Sequence, residues 1–195
     1  MDAPLKLGCL LMAAGSAARF GQNKLLAELD GRPLIRYALD AIPASQFAAV
    51  TVVTQYDAVA ELAAQYGFAV LRNDRPELGI SRTVRLGTEV MSDCDGILYL
   101  PADQPLLRQE TVARIADCFR LHPDCIVGAA CGDRRGSPNL FPAALFPELL
   151  ALRGDRGGSA VLRAHEDRYL PMETDPRELL DCDTPQGLAI LKTVE

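Results

Sequence analysis

The chain contains 195 residues, with 20 lysines and arginines against 26 aspartates and glutamates, which gives a formal net charge of −6. This length predicts one domain spanning 1–195, at most with a small lobe, and a hydrophobic fraction of 49% is ordinary for a globular protein. The acidic balance argues against a nucleic-acid-binding surface, which would be basic, although a locally positive pocket remains compatible with an anionic substrate. No apolar run reaches the roughly 18 residues of a membrane span, and no signal peptide is visible, so we expect a cytoplasmic protein without a membrane partner.

Short apolar runs alternate with helical patterns along the whole chain. Strands are predicted at 7–13, 48–54, 68–71, 96–100, 125–130 and 168–172, and residues 137–142 are predicted to return as a short strand or edge segment. Helices are predicted at 34–42, 58–66, 81–90, 111–121, 143–152, 159–165 and 185–193, the third of them capped by Ser81. The alternation predicts an α/β fold, a three-layer Rossmann-like sandwich with a mostly parallel sheet. Ligands of such sheets bind beyond the carboxyl ends of the strands.

A loop of small residues follows the first strand. Residues 13–18 carry almost no side-chain bulk, and Arg19 and Lys24 add positive charge shortly after them. Backbone N–H groups in such a loop can point at phosphate oxygens. The loop lacks both the Gly-Lys-Ser/Thr triplet of a Walker loop and the G-x-G-x-x-G of a dinucleotide fingerprint. Spacing alone therefore leaves two equal interpretations, a phosphate-binding loop and a plain strand-to-helix connection.

Three aspartates occupy positions where a metal ligand is chemically reasonable. Asp103 lies three residues past the predicted strand 96–100, between two prolines, and it is either a ligand for Mg²⁺ or a solvated turn residue. Asp181 and Asp183 flank Cys182 just before the predicted closing helix, so Asp183 is either a metal ligand or a helix cap.

Cysteines and histidines suggest no site of their own. The six cysteines form no C-x-x-C pair, and no histidine stands at zinc-ligand spacing from them, so we expect reduced thiols. His122 and His165 lie at the ends of predicted helices without a serine or cysteine nucleophile nearby in sequence, and neither is expected to be catalytic.

The pattern A-A-G-x-x-x-R-x-G-x-x-K-L at 13–25 resembles the signature loop of nucleotidyltransferases with a GT-A-like fold. Six further patches follow in the same order as in the molybdenum cofactor cytidylyltransferase family, at 31–34, 79–81, 102–105, 136–138, 154–157 and 181–185. Together they span nearly the whole chain. The sequence therefore resembles that family, and the resemblance implies a sheet of the nucleotide-diphospho-sugar transferase type.

The same resemblance implies a reaction. CMP would pass from CTP to the terminal phosphate of molybdopterin with release of pyrophosphate and with Mg²⁺ as cofactor, and a xanthine dehydrogenase-type molybdoenzyme would be a client. The implied site comprises catalytic Arg19 and Lys24; nucleotide-binding Ala13, Ala14, Gly15, Ser16, Asn73 and Ser81; metal-binding Asp103 and Asp183, with Asp183 preferred to Asp181; and acceptor-binding Ser137, Pro138, Asp155 and Arg156 in a lobe at about 131–168.

Alternatives of other kinds remain open at this point. Guanylyl-transferring relatives tend to carry glycine where this chain has Ala14, and the added methyl group favours a pyrimidine, so CTP is expected over GTP. A GTP-using enzyme or another phosphorylated acceptor is the nearest alternative. A non-catalytic chaperone for the cofactor is an alternative of another class, and the missing G-x-G-x-x-G disfavours an oxidoreductase.

Overall fold

The computed structural model describes residues 4–15 and 23–183. The strands are β1 Leu7–Ala13, β2 Glu28–Leu29, β3 Arg32–Pro33, β4 Ala49–Thr54, β5 Ala69–Arg72, β6 Gly96–Pro101, β7 Ile126–Cys131, β8 Arg134–Pro142 and β9 Tyr169–Glu173. The α-helices are α1 Leu34–Asp40, α2 Asp57–Gln65, α3 Ile80–Val90, α4 Gln109–Leu121, α5 Phe146–Ala151 and α6 Gly158–Ala164. Short 3₁₀ turns at Lys24–Leu26, Ala44–Gln46, Pro76–Leu78, Ala143–Leu145, Glu166–Arg168 and Pro176–Leu179 join them. Most predicted strands and helices lie within two residues of these bounds, and the predicted helix 185–193 lies outside the described residues.

Seven strands form one sheet in the order β5-β4-β1-β6-β8-β7-β9, and β2 pairs with β3 in a separate small hairpin. Among the described strands of the large sheet, β8 alone runs antiparallel to its neighbours. The chain steps from β1 through β4 to β5 in one direction and then returns to place β6 on the other side of β1. The predicted α/β class with a mostly parallel sheet is confirmed, and the point where the strand order reverses lies between β1 and β6.

Two apolar clusters cover the two faces of this sheet. Because side chains alternate along a strand, Cys9 and Leu11 of β1 enter one cluster, whereas Leu10 enters the other. The first cluster is completed by buried side chains of α1, α2 and α4, and the second by those of α3, α5 and α6. The molecule therefore has the three layers expected of a doubly wound fold. No helix in the described ranges combines the length and the apolar character needed to cross a membrane.

Strand β8 differs from the prediction. The sequence suggested a short strand or edge segment at 137–142. The structure has a nine-residue strand between β6 and β7. Only its second half, from Asn139 to Pro142, pairs with β6, so Pro138 costs no hydrogen bond on that side. Pairing with β7 shifts register between Gly128 and Ala130. The first half of β8 therefore extends past β6 and borders the site described next.

Candidate active site

A cavity of about 980 Å³ opens at the point where the strand order reverses. Strands β1 and β6 run side by side, with Met12 paired to Pro101, so the residues that follow each strand emerge together. Ala14 and Gly15 after β1 and Asp103 after β6 all line this cavity. In doubly wound sheets this is where ligands bind, because the loops diverge there and leave a crevice.

Lys24 links the two predicted metal ligands. Its Nζ lies 2.7 Å from Asp103 Oδ2 and 2.8 Å from Asp183 Oδ1, and only 16% of the lysine side chain is exposed. Partial burial acts to lower the pKa of the Lys24 ammonium, but the charges and hydrogen bonds of the two carboxylates outweigh it, so this pKa is raised above its ordinary value. Lys24 is therefore charged at neutral pH, and a cation stands between two carboxylates.

This arrangement fits a hard divalent cation. In the described part of the chain there is no cluster of three or more histidine, cysteine, aspartate or glutamate residues that could hold a metal. Mg²⁺, however, is commonly held by only one or two carboxylates together with substrate phosphates. Asp103 and Asp183 supply two carboxylates to one point, and the Lys24 ammonium occupies a place suited to positive charge.

Asp181 has a different partner from Asp183. Its Oδ1 accepts a hydrogen bond from Gln104 Nε2 at 3.0 Å, and it lines the cavity. Loss of solvent around the carboxyl and the negative charge of Asp103 raise the pKa of Asp181. The two aspartates of the 181–185 patch thus act separately, with Asp183 beside Asp103 and Lys24, and Asp181 holding the amide of the buried Gln104.

The last residue of β1 and the two residues that follow it, together called here the 13–15 loop, are held by the end of the neighbouring strand β4. The hydrogen bonds run from Thr54 Oγ1 to the Ala13 carbonyl (3.0 Å), from Gln55 Nε2 to the Ala14 carbonyl (2.9 Å) and from Tyr56 OH to the Gly15 carbonyl (3.0 Å). Ala13 and Ala14 are buried, whereas Gly15 is exposed at the cavity. Ser16 and Arg19, predicted to act with this loop, lie outside the described residues.

Asn73 and Ser81 were predicted to contact the nucleotide, and both are buried. Asn73 donates to Thr83 Oγ1 and accepts from the Arg75 N–H, while the Ser81 hydroxyl donates to the Leu78 carbonyl. Neither is among the described residues that line the cavity. The prediction that Ser81 caps α3 is wrong, because the helix begins at Ile80 and its N-cap is Gly79.

Two of the four predicted acceptor residues line the cavity. Ser137 and Asp155 line it, Pro138 is buried in β8, and the exposed Arg156 is not among its described lining residues. The loop before α6 also touches the loop before α3, since the Ser81 N–H donates to the Gly154 carbonyl at 3.1 Å.

Three arginines at the cavity were missed by the sequence analysis. Arg134 and Arg135 belong to the hairpin between β7 and β8, and Arg163 lies in the last turn of α6. Arg135 pairs with Glu166 at 2.6 Å and stacks over the Tyr169 ring. The R-R pair was visible in the sequence as part of a turn, but nothing in the sequence indicated that α6 would bring Arg163 to the same cavity.

Solved structures share this architecture. A nucleotidyl transferase from Methanothermobacter thermautotrophicus superposes with a TM-score of 0.81 over 96% of this chain and 96% of that one, at 22% identity. At this identity the likeness concerns the fold alone. A family model agrees, because residues 9–169 match the MobA-like NTP transferase domain. The chain belongs to this family of nucleotidyltransferases.

Two curated relatives are similar to the chain at about the same level of identity. A molybdenum cofactor guanylyltransferase of Vibrio cholerae is 26% identical, over 95% of this chain and 91% of that relative. A 3-deoxy-manno-octulosonate cytidylyltransferase of Francisella philomiragia is also 26% identical, but over 56% of this chain. The match spans 44% of that cytidylyltransferase, less than half of its length.

Proposed function

We propose that the protein transfers CMP from CTP to the terminal phosphate of molybdopterin, with release of pyrophosphate. The observation that carries the proposal is the meeting of Lys24, Asp103 and Asp183, because Asp103 lines the same cavity as Ala14 and Gly15. In this reaction an oxygen of the acceptor phosphate forms a bond to the α-phosphorus, and the bond from that phosphorus to the bridging oxygen of pyrophosphate breaks. Positioning and charge neutralisation provide most of the catalysis in phosphoryl transfer.

Each residue of this group has a defined task in the proposal. Lys24 pairs with oxygens of the triphosphate and of the departing pyrophosphate, and Arg19 is proposed to assist it. The 13–15 loop offers backbone N–H groups to phosphate oxygens. Asp103 and Asp183 would hold Mg²⁺, which when bound neutralises phosphate charge and orients the α-phosphoryl group.

The size of the cavity and the relatives support molybdopterin as acceptor. A volume of about 980 Å³ lies at the upper end of ordinary ligand pockets and leaves room for a nucleotide and a second substrate. The Vibrio cholerae relative, matched over 95% of this chain, is named for the molybdenum cofactor. A cytoplasmic molybdoenzyme of the xanthine dehydrogenase type would receive the product under the same proposal.

Two candidate functions differ in the base of the nucleotide that the protein uses. Ala14 is buried and lines the cavity, and its methyl group takes space that a glycine would leave open, which favours a single-ring pyrimidine. The second candidate is a GTP-using enzyme, and it is favoured by the name of the Vibrio cholerae relative. Nucleotide transfer by way of Lys24 and the two aspartates is the same in both.

We expect CTP to be used in preference to GTP by about 10-fold or more, because a pocket that matches one base leaves polar groups unpaired with another. The measurement is direct competition of CTP and GTP with Mg²⁺ and molybdopterin. Ala14→Gly should reduce the preference by opening space beside the loop, and Ala13→Gly, at a buried position outside the described cavity lining, is the matched control.

Equal use of both nucleotides, or a preference for GTP, would replace the first candidate with the second. Absence of pyrophosphate release with every nucleoside triphosphate would reject both candidates. The remaining interpretation would then be a protein that binds the cofactor without catalysis.

A further inference from the structure

The end of strand β4 holds the 13–15 loop through three consecutive side chains. Thr54, Gln55 and Tyr56 each donate one hydrogen bond, at 2.9 to 3.0 Å, and each bond ends on the next carbonyl of the loop. Residues 54–56 are called here the β4 extension. An isolated side-chain bond to a carbonyl is commonplace, but three in sequence fix the orientation of the peptide planes in the loop.

The peptide geometry has a direct consequence for the N–H groups. In a trans peptide the N–H of one residue points opposite to the carbonyl of the residue before it. Because the carbonyls of Ala13 and Ala14 point at the β4 extension, the N–H groups of Ala14 and Gly15 point away from it. Both residues line the cavity. Convergent N–H groups in a loop of small residues bind anionic oxygens.

We propose that Gln55 and Tyr56 are positioning residues for the nucleotide. They hold the 13–15 loop so that its N–H groups are available to the triphosphate. The inference rests on the proposed nucleotide site. No contact between the β4 extension and the substrate is needed. The ligand class is a nucleoside triphosphate, and its base is immaterial to the effect, because the loop is held through its backbone.

Burial separates the three members of the extension. Thr54 is fully buried, and its hydroxyl also accepts from the Tyr56 N–H at 3.1 Å, so its replacement would disturb the fold itself. Gln55 and Tyr56 are half-buried, and each can lose its donor while keeping most of its volume. At Gln55 and Tyr56, an effect on the position of the loop can therefore be measured without an effect on folding.

The test uses Gln55→Met and Tyr56→Phe in the full chain. Isothermal titration with CTP and with GTP, each with Mg²⁺ and without acceptor, should show a dissociation constant raised about 3- to 10-fold in each variant, the usual effect of one hydrogen bond. The melting temperature should change little, and in turnover assays the KM for the nucleotide should rise while that for the acceptor stays constant. Tyr66→Phe is the matched control, because Tyr66 follows the last residue of α2 and donates its hydroxyl to Asp40 of α1.

Unchanged nucleotide affinity in both variants, with normal binding by the wild type, would overturn the inference and leave the proposed function intact. An equal loss of nucleotide affinity in Tyr66→Phe would also overturn the inference, since the loss would then not result from the hydrogen bonds to the 13–15 loop. If the wild type binds neither nucleotide, the proposed function fails and the inference fails with it.

Discussion

At the scale of single residues, Lys24 balances the charge of the site. Asp103 and Asp183 lie on either side of its ammonium, and without a cation between them two carboxylates at this separation would repel each other. An ammonium and a divalent metal ion cannot both occupy this place. Under the proposed function, Lys24 would therefore move toward the triphosphate when the two carboxylates hold Mg²⁺.

Replacing this lysine by a neutral residue should have two opposite effects. In Lys24→Met we expect turnover to fall about 10²- to 10³-fold, because a charged donor to the transition state is lost. Without nucleotide, the Lys24→Met variant should bind Mn²⁺ more tightly than the wild type does, because no ammonium competes with the metal ion for the two carboxylates. Steady-state kinetics and Mn²⁺ titration by electron paramagnetic resonance measure the two effects.

Lys6→Met is the control for this pair of effects. Lys6 directly precedes β1, at the amino-terminal end of that strand, and pairs with Asp93 on the exposed surface. The variant has the same change in net charge and should leave turnover and Mn²⁺ affinity unaltered. Unchanged Mn²⁺ affinity in Lys24→Met would mean that the two aspartates do not form a cation site.

At the scale of elements, the loops before α3 and α6 are locked together at Gly79. This glycine has φ of 81°, and a Cβ at its position would lie 2.5 Å from Asp155 Oδ1 and from the Gly154 carbonyl carbon. Sequence analysis had assigned the 79–81 patch to the nucleotide and the 154–157 patch to the acceptor. Their contact makes the two patches one wall of the cavity.

We expect Gly79→Ala to lower the free energy of unfolding by at least about 2 kcal/mol, because the backbone conformation suits only glycine and the methyl group meets backbone atoms. Gly154→Ala is the matched variant, since its φ is also positive, at 62°, but nothing lies within 4 Å of an added Cβ. Gly154→Ala should lower the free energy of unfolding only by the conformational strain of the added side chain, about 1 kcal/mol. Urea denaturation of the two variants measures the difference, and equal losses would show that the close approach does not contribute.

At the scale of the whole molecule, two groups of residues of different character line the cavity. One group comprises Ala14, Gly15 and Asp103, and the other belongs to the β7–β8 hairpin and α6, which contribute Arg134, Arg135 and Arg163. Arginine matches phosphate oxygens well, because its guanidinium offers paired donors. These arginines are therefore suited to bind the anionic acceptor proposed above.

Arg163→Ala should raise the KM for the acceptor about 10-fold while leaving nucleotide affinity unchanged, because a hydrogen bond between charged groups is lost. Arg156→Ala is the variant to compare with it. The sequence suggested Arg156 for this task, but it is not among the described residues that line the cavity. Steady-state kinetics with each substrate varied in turn distinguishes them, and a larger effect in Arg156→Ala would return the acceptor role to that residue.

The sequence by itself was sufficient for the local structure and for the class of protein. Buried strands such as Leu7–Ala13 are recognisable because they are short, apolar and ended by glycine or proline. The alternation of strands and helices predicted the layered fold, and the 13–25 pattern with the patches that follow indicated a nucleotidyltransferase. These features depend on residues close together in the chain, so they can be inferred from it directly.

Only the tertiary structure decided which residues meet. Lys24 lies 79 residues from Asp103 and 159 residues from Asp183 in the chain, and the order of the sheet brings the three together. The same order places β8 inside the sheet and the β4 extension against the 13–15 loop. Such contacts cannot be inferred from spacing in the sequence, because they depend on the strand order and on the packing of α3 and α6 over one face of the sheet.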